Sequence, residues 1–290
     1  MKLLLKFNLI LVTLAAIGLG LVALVARNFL QQNARAQVLQ QAELMMESAS
    51  SVRRYTSDEL RPLLMGNPKY EQEFLPQTVP AYGATTIFAK LRAQFPEYTY
   101  REPALNPTNP QDRAVDWEAD VIEQFRNHPD EHELIAERAT PTGTALYLAH
   151  PLVNRQPCMQ CHSTPGVAPT SMIRRYGSDH GFGWQLNEII GAQIVSVPTA
   201  VPVEIASKAF HSLMFSLVLA FAALIVATNL ILLVLIIRPV RRLAYIANQV
   251  STGQAEGTEL PIRGKDEIAE LTASFNRLMT SLAKAMRLLG

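Results

Sequence analysis

Residues 7–26 read FNLILVTLAAIGLGLVALVA, and residues 213–237 read LMFSLVLAFAALIVATNLILLVLII. No Asp, Glu, Lys or Arg falls between Lys6 and Arg27 or between Lys208 and Arg238. A helix of about 20 residues is about 30 Å long, the thickness of a bilayer's hydrocarbon core. Each run carries one amide, Asn8 and Asn229, tolerable near a span end or at a helix–helix contact. A cleaved leader fits the first run poorly, because signal cores are usually about 7–15 residues long. The small-x-small tripeptide Ala34-Arg35-Ala36 also lies well past its end. A buried core helix is the alternative for the second run, which its length and the Arg238, Arg241 and Arg242 cluster oppose.

The two runs divide the chain into residues 1–6, a first span at 7–26, a domain at 27–212, a second span at 213–237 and a tail at 238–290. Basic residues next to spans stay in the cytoplasm. Lys2 and Lys6 before the first span, and the three arginines after the second, place both termini inside and export residues 27–212. The exported segment holds 16 basic and 20 acidic residues, the tail 8 and 5. A net charge of +1 argues against nucleic acid as a partner.

Past the first span, residues 29–64 read as one long helix that Pro62 and Gly66-Asn67-Pro68 end. Val38, Ala42, Met45, Ala49 and Val52 alternate spacings of four and three, the mark of a coiled-coil seam, and predict a dimer contact. The competing reading packs this helix on its own domain. Residues 84–95 and 117–125 show helical apolar spacing; 98–104 and 189–197 read as strands, and 133–139 with 144–149 as a hairpin around Thr140-Pro-Thr-Gly143. Asn106 to Pro110 is a rigid loop. The elements predict an α+β domain, an antiparallel sheet with helices on one side in a PAS-like arrangement.

The only two cysteines stand in Cys158-Met-Gln-Cys161-His162, a CxxCH motif. This spacing attaches c-type haem: the thiols add to the two vinyl groups, and the adjacent imidazole takes the iron as proximal ligand. A disulfide and a dithiol redox pair compete with that reading. Zinc suits the motif badly, since Cys161 and His162 are neighbours that one tetrahedral ion cannot easily share. Export of the segment favours one covalent haem c. With no third cysteine a thiolate sixth ligand is excluded, leaving His150, His180, Met172, Met65 and Tyr82, or an open position that admits a gas. Arg174 and Arg175 are candidates for the propionates, since the guanidinium fork suits carboxylates.

After the second span, Leu243, Ile246 and Val250 repeat at three and four. A polar connector runs to Gly264 with Leu260 and Ile262 as its large apolar residues, and Ile268, Leu271, Phe275, Leu278 and Leu282 continue the pattern. Two such helices per chain make a parallel four-helix bundle in a homodimer, with Leu260 and Ile262 pinning the connector to it. With Pro239 below the membrane, Gly257 in the connector and Asp266-Glu267 opening the second helix, residues 238–287 resemble the HAMP domain of bacterial receptors and kinases.

Residues 50–200 resemble a further family, the PAS-like sensor domains with a single c-type haem common in cyanobacteria and some proteobacteria. The matching stretches are Arg53-Arg-Tyr55 with Glu59-Leu-Arg-Pro62, Thr78-Val-Pro80, Asn106-Pro-Thr-Asn-Pro110, Cys158 to Pro165, Tyr176-Gly177 and Gly181-Phe-Gly-Trp184. Family members often precede a HAMP domain and a kinase or cyclase; here no phosphorylation box, nucleotide loop or cyclase motif follows. The expectation is a non-enzymatic, haem-based sensor of redox state or gas in a bacterial inner (plasma) membrane. Its domain is periplasmic and its signal passes to a separate effector. A membrane-anchored cytochrome for electron transfer is the alternative, and a thiol oxidoreductase a weaker one; the cytoplasmic relay argues against a carrier, which needs only one anchor.

Overall fold

A computed structural model describes residues 3–141, 143–252, 259–262 and 264–289. Lys2, Thr142 and the connector glycine Gly257 lie outside the described residues. The chain divides into two compact units, residues 26–210 and residues 1–25 together with 211–290.

Helix α1 (Leu3–Tyr55) passes through a π-helical turn, Thr56–Leu60, into α2 (Arg61–Met65). Pro62 therefore does not stop the helix, as its residue type suggested. It sits in the first turn of α2, just after the widened π turn, where a missing N–H costs little. The chain turns only at Gly66, whose N–H bonds to the Pro62 carbonyl at 3.3 Å.

The rest of the 26–210 unit comprises α3 (Lys69–Gln72), α4 (Pro80–Arg92), β1 (Thr99–Arg101), α5 (Asp116–Asn127), β2 (Leu134–Thr140), β3 (Gly143–Val153), α6 (Met159–His162), α7 (Thr170–Tyr176) and β4 (Ile189–Pro198). Strand β1 is shorter than the expected 98–104, and Ala104 makes only isolated bridges, to Arg113 and Gly191. The strands form one antiparallel sheet in the order β1-β4-β3-β2. Leu148 lies opposite Val195, and Ala149 opposite Ile194.

Alternate residues of these strands enter two cores, because side chains alternate faces along a strand. Leu146, Leu148, Val195 and Val197 pack with Val38, Ala42, Met46 and Ala49 of α1 and with Ala84 and Phe88 of α4. Ala149, Ala192 and Ile194 pack with Val121, Ile122 and Phe125 of α5. Helices thus cover both faces of the sheet, correcting the one-sided arrangement: α5 has its own apolar stripe, which buries on the second face. The heptad stripe of α1 is likewise consumed inside its own domain. Val38, Ala42 and Ala49 are buried there, Met46 replaces Met45 as the buried methionine, and Met45 and Val52 pack at the margin. The expected intermolecular seam is therefore an intramolecular contact.

In the other unit are the first part of α1, most of α8 (Ala200–Leu232), a π turn at Leu233–Ile237, α9 (Arg238–Ser251) and α10 (Glu267–Leu289). Among the described residues two helices are long and apolar enough to cross a membrane, each with a mean hydropathy of 2.8 and no buried residue in its apolar window. Neither apolar window packs into a core of its own chain among the described residues. Asn8 and Asn229 join the two apolar segments through their amides. Leu260 is buried, and its backbone N–H and carbonyl bond to the Asn276 amide at 3.0 and 2.8 Å. Ile262, expected to pin the connector as well, is exposed.

Candidate functional site

The CxxCH segment occupies a 3-10 turn, Gln156–Cys158, followed by the single turn of α6. Helical spacing puts residues i and i+3 on one side of a turn, so Cys158 and Cys161 share a side and His162 follows at the helix end. Both thiols are free and partly exposed. Burial pushes the Cys161 thiol above its ordinary value, against the opposing pull of Arg61.

Two loops hold the imidazole. His162 Nδ1 lies 2.8 Å from the Gly181 carbonyl and 3.3 Å from Thr108 Oγ1. A carbonyl only accepts, so Nδ1 carries the proton and Nε2 keeps its lone pair. The ring stacks on Trp184, with centroids 3.9 Å apart and planes 13° from parallel. Burial lowers the His162 pKa and the Gly181 bond opposes this, so the ring stays neutral, the state in which imidazole binds a metal.

The Asn106–Pro110 loop clamps the glycine-rich loop: the Gly181 N–H bonds to Asn106 Oδ1 at 3.2 Å, and the Asn106 amide donates to the Phe182 carbonyl at 3.4 Å. Gly181 has φ +81°, and a Cβ there would meet Thr108 Oγ1 at 2.0 Å. Only glycine permits both the left-handed backbone and this approach. On the other side, Arg61 of α2 reaches the Pro157 carbonyl (3.4 Å) and Gln160 Oε1 (3.3 Å). Asn154, fully buried, donates to the Gln185 carbonyl at 2.8 Å and to Met159 Sδ at 3.1 Å.

The sequence-derived candidates scatter. Met172 is buried with Tyr70, Phe74 and Ala168 in a small cluster that Cys161 and Phe182 flank. Met65 takes the Nε–H of Arg61 at 3.4 Å. His180 is exposed, next to Gly181. His150 lies on β3 with Nε2 3.3 Å from Glu133 Oε2, and Tyr82 is exposed in the first turn of α4. Among the described contacts none joins His150 or Tyr82 to residues 158–162. Arg174 donates to the Gln72 carbonyl at 3.1 Å, and Arg175 lies 5.5 Å over the Tyr176 ring; among the described contacts neither joins the cysteines or His162. The sequence reading missed Arg61, Thr108, Gly181 and Trp184 as neighbours of the motif. Their stretches were visible only as family-like strings, without a role.

The donor set fits a haem. Two accessible thiols stand at attachment spacing, and an imidazole with a fixed Nδ1 proton offers Nε2. A buried aromatic and methionine-containing cluster adjoins Cys161.

These features define a mixed helix–sheet domain flanked by two membrane-length helices and followed by a helical relay. Residues 31–198 match the Tll0287-like family model and residues 232–284 the HAMP domain model. The chain belongs to the Tll0287-like family and carries a HAMP domain after that region. The crystal structure of the cyanobacterial haem protein Tll0287 aligns at 16% identity with 55% of this chain and 94% of that chain, at a TM-score of 0.43. No curated protein matches the chain.

Proposed function

We propose that this chain is a two-pass, haem-based transmembrane sensor. Residues 1–6 and 238–290 are cytoplasmic, 7–26 and 213–237 span the inner membrane, and 27–212 form a periplasmic, PAS-like domain. The observation that carries the reading is the CxxCH turn whose His162 is held through Nδ1 with Nε2 free. Cys158 and Cys161 hold one haem c covalently, and His162 Nε2 is its proximal ligand. Met172 and Met65 are the sixth-ligand candidates nearest the motif by contact, with His180 adjoining the Gly181 loop. Arg61, beside the attachment turn, joins Arg174 and Arg175 as a candidate for the propionates.

Bound haem would supply an iron able to change oxidation state or to take a gas. The protein's part is positional. Gly181, Thr108 and Trp184 fix the imidazole. Arg61 ties the attachment turn to α2, which follows α1 through the π turn, so a shift of residues 156–162 is felt along the helix leading to the first span. Fold analogy does not make this an enzyme; the relay transmits packing rather than chemistry.

In α10, Ala269, Thr272 and Met279 are buried, whereas Leu271, Leu278 and Leu282 are 50%, 64% and 45% exposed. That apolar stripe suits a second copy of the chain in a parallel bundle. A separate effector then reads the bundle.

Haem staining of a denaturing gel tests the reading, with haem-attachment machinery co-expressed. Wild type should give a stained band at the chain's mass, and Cys158→Ser with Cys161→Ser should not. An unstained wild-type band overturns it.

A further inference from the structure

A cleft of ≈ 280 Å³ is lined by residues of α4, β1, the start of α5 and β2. Three guanidinium groups line it: Arg92 from α4, Arg101 from β1 and Arg138 from β2. Its apolar wall is Phe88, Tyr100 and Trp117. None of these side chains touches the CxxCH turn among the described contacts.

Glu118 is the one acidic residue lining the cleft among the described residues, and it is already engaged. Its Oε1 lies 3.1 Å from Arg101 Nε, its Oε2 accepts the Val115 N–H at 3.0 Å, and its side chain is 2% exposed. Three cations and one anion leave the lining at a net charge of +2. Arg92 and Arg138 have no carboxylate at ion-pair distance among the described residues. Arg138 has a ring partner instead, its guanidinium 4.0 Å over the Trp117 ring, which itself meets Tyr147 at 5.5 Å. A guanidinium held over an indole face keeps N–H donors for a carboxylate, which it can bind in a fork.

From this combination we infer that the cleft is a binding site for a small aromatic monocarboxylate, its ring in the apolar part of the lining and its carboxylate between Arg92 and Arg138. The volume lies just under the roughly 300–1,000 Å³ of ordinary small-molecule pockets, which limits the occupant to about one ring and its acid group. Phosphate would gain the charges but leave the aromatic wall bare. A neutral aromatic would leave the arginines unanswered. The site also has a route to α1: the Tyr100 hydroxyl donates to Glu102 at 2.7 Å, and Glu102 is the ion-pair partner of Arg53. The inference does not depend on haem attachment, because none of its residues holds the cofactor.

Isothermal calorimetry on the full chain in lipid nanodiscs tests it, with benzoate as the probe and benzyl alcohol as its neutral counterpart. Benzoate should bind saturably, one per chain, and benzyl alcohol roughly tenfold more weakly or worse, the loss of about one charge-assisted contact. Arg92→Gln with Arg138→Gln should weaken benzoate by a similar or larger factor. Ala89→Phe, at an exposed lining position, should block the cleft without removing a charge. No saturable benzoate binding overturns the inference. So does equal binding of benzyl alcohol, or binding that survives both sets of substitutions. The probe comparison on the unmodified protein decides even where a variant folds poorly, and haem staining of the same samples keeps the result separate from the haem reading.

Discussion

His162 and Gly181, 19 positions apart in sequence, are joined by a 2.8 Å bond from the imidazole Nδ1 to the glycine carbonyl. Gly181 can supply that carbonyl only from a left-handed backbone, with the Thr108 side chain against its Cα. Gly181→Ala should cost roughly 1–3 kcal/mol from backbone strain, before any displacement of Thr108. The expected outcome is a lower melting temperature for the full chain and a shifted haem reduction potential. Trp184→Ala should shift the potential with a smaller loss of stability, since it exposes the ring but keeps the bond. An unchanged potential in both variants would rule out a role for these residues in setting the iron's environment.

Arg53 of α1 and Glu102 just after β1 form an ion pair, and the Glu102 side chain is 2% exposed. Glu102 also accepts the Tyr100 hydroxyl at 2.7 Å, and that hydroxyl accepts from the Gln193 amide at 2.8 Å. Burial pushes the Tyr100 phenol far above its ordinary pKa, so it remains a donor. Glu102→Ala would strand Arg53 and should destabilise by roughly 3–5 kcal/mol, the range for breaking one side of a buried pair. Tyr100→Phe removes the bond to the Glu102 carboxylate and the bond from Gln193 but leaves the Arg53–Glu102 pair in place, and should cost roughly 1.5–3 kcal/mol. Denaturant melts of both variants check the order, which fails if Tyr100→Phe costs more.

The Asn8 and Asn229 amides bond in both directions, at 2.8 and 2.6 Å. In hydrocarbon, either residue alone would still back-bond to its own helix, as Asn8 does to the Leu4 carbonyl at 3.0 Å. The pair's coupling should therefore be modest, roughly 0.6 kcal/mol with a ceiling near 1.7. A double-mutant cycle with Leu at each position measures it, and zero coupling would mean that the pair does not join the spans.

Leu271 and Leu278 of α10 are exposed, whereas Ala269 is buried. Cysteines placed at Leu271 or Leu278 should crosslink two chains in membranes, with a yield that changes between oxidised and reduced haem. Cysteine at Ala269 should crosslink poorly. Equal yields at all three positions would exclude a bundle built on this stripe, and a yield indifferent to haem state would favour an electron carrier.

Much of this chain was legible before any fold was known, where local composition is enough. The membrane-length runs follow from twenty or more apolar residues without a charge. The hairpin and the helices of the domain follow from local periodicity, and the CxxCH reading rests on three residues, two cysteines and a histidine, at one spacing. None of these readings needs a distant partner to be made.

What the tertiary structure decided is the partner of each face. The heptad stripe of Val38, Ala42 and Ala49 reads identically whether it meets a second chain or its own sheet. Periodicity identifies an apolar face but not what covers it, and here Leu146, Leu148, Val195 and Val197 do. Pro62 stays helical because a π turn precedes it, a backbone feature that no residue type announces. The setting of His162 depends on Thr108, Gly181 and Trp184, brought together by loops whose closure is a property of the whole domain. Sequence determined which groups could do chemistry; only the folded chain determined which of them stand within a hydrogen bond of one another.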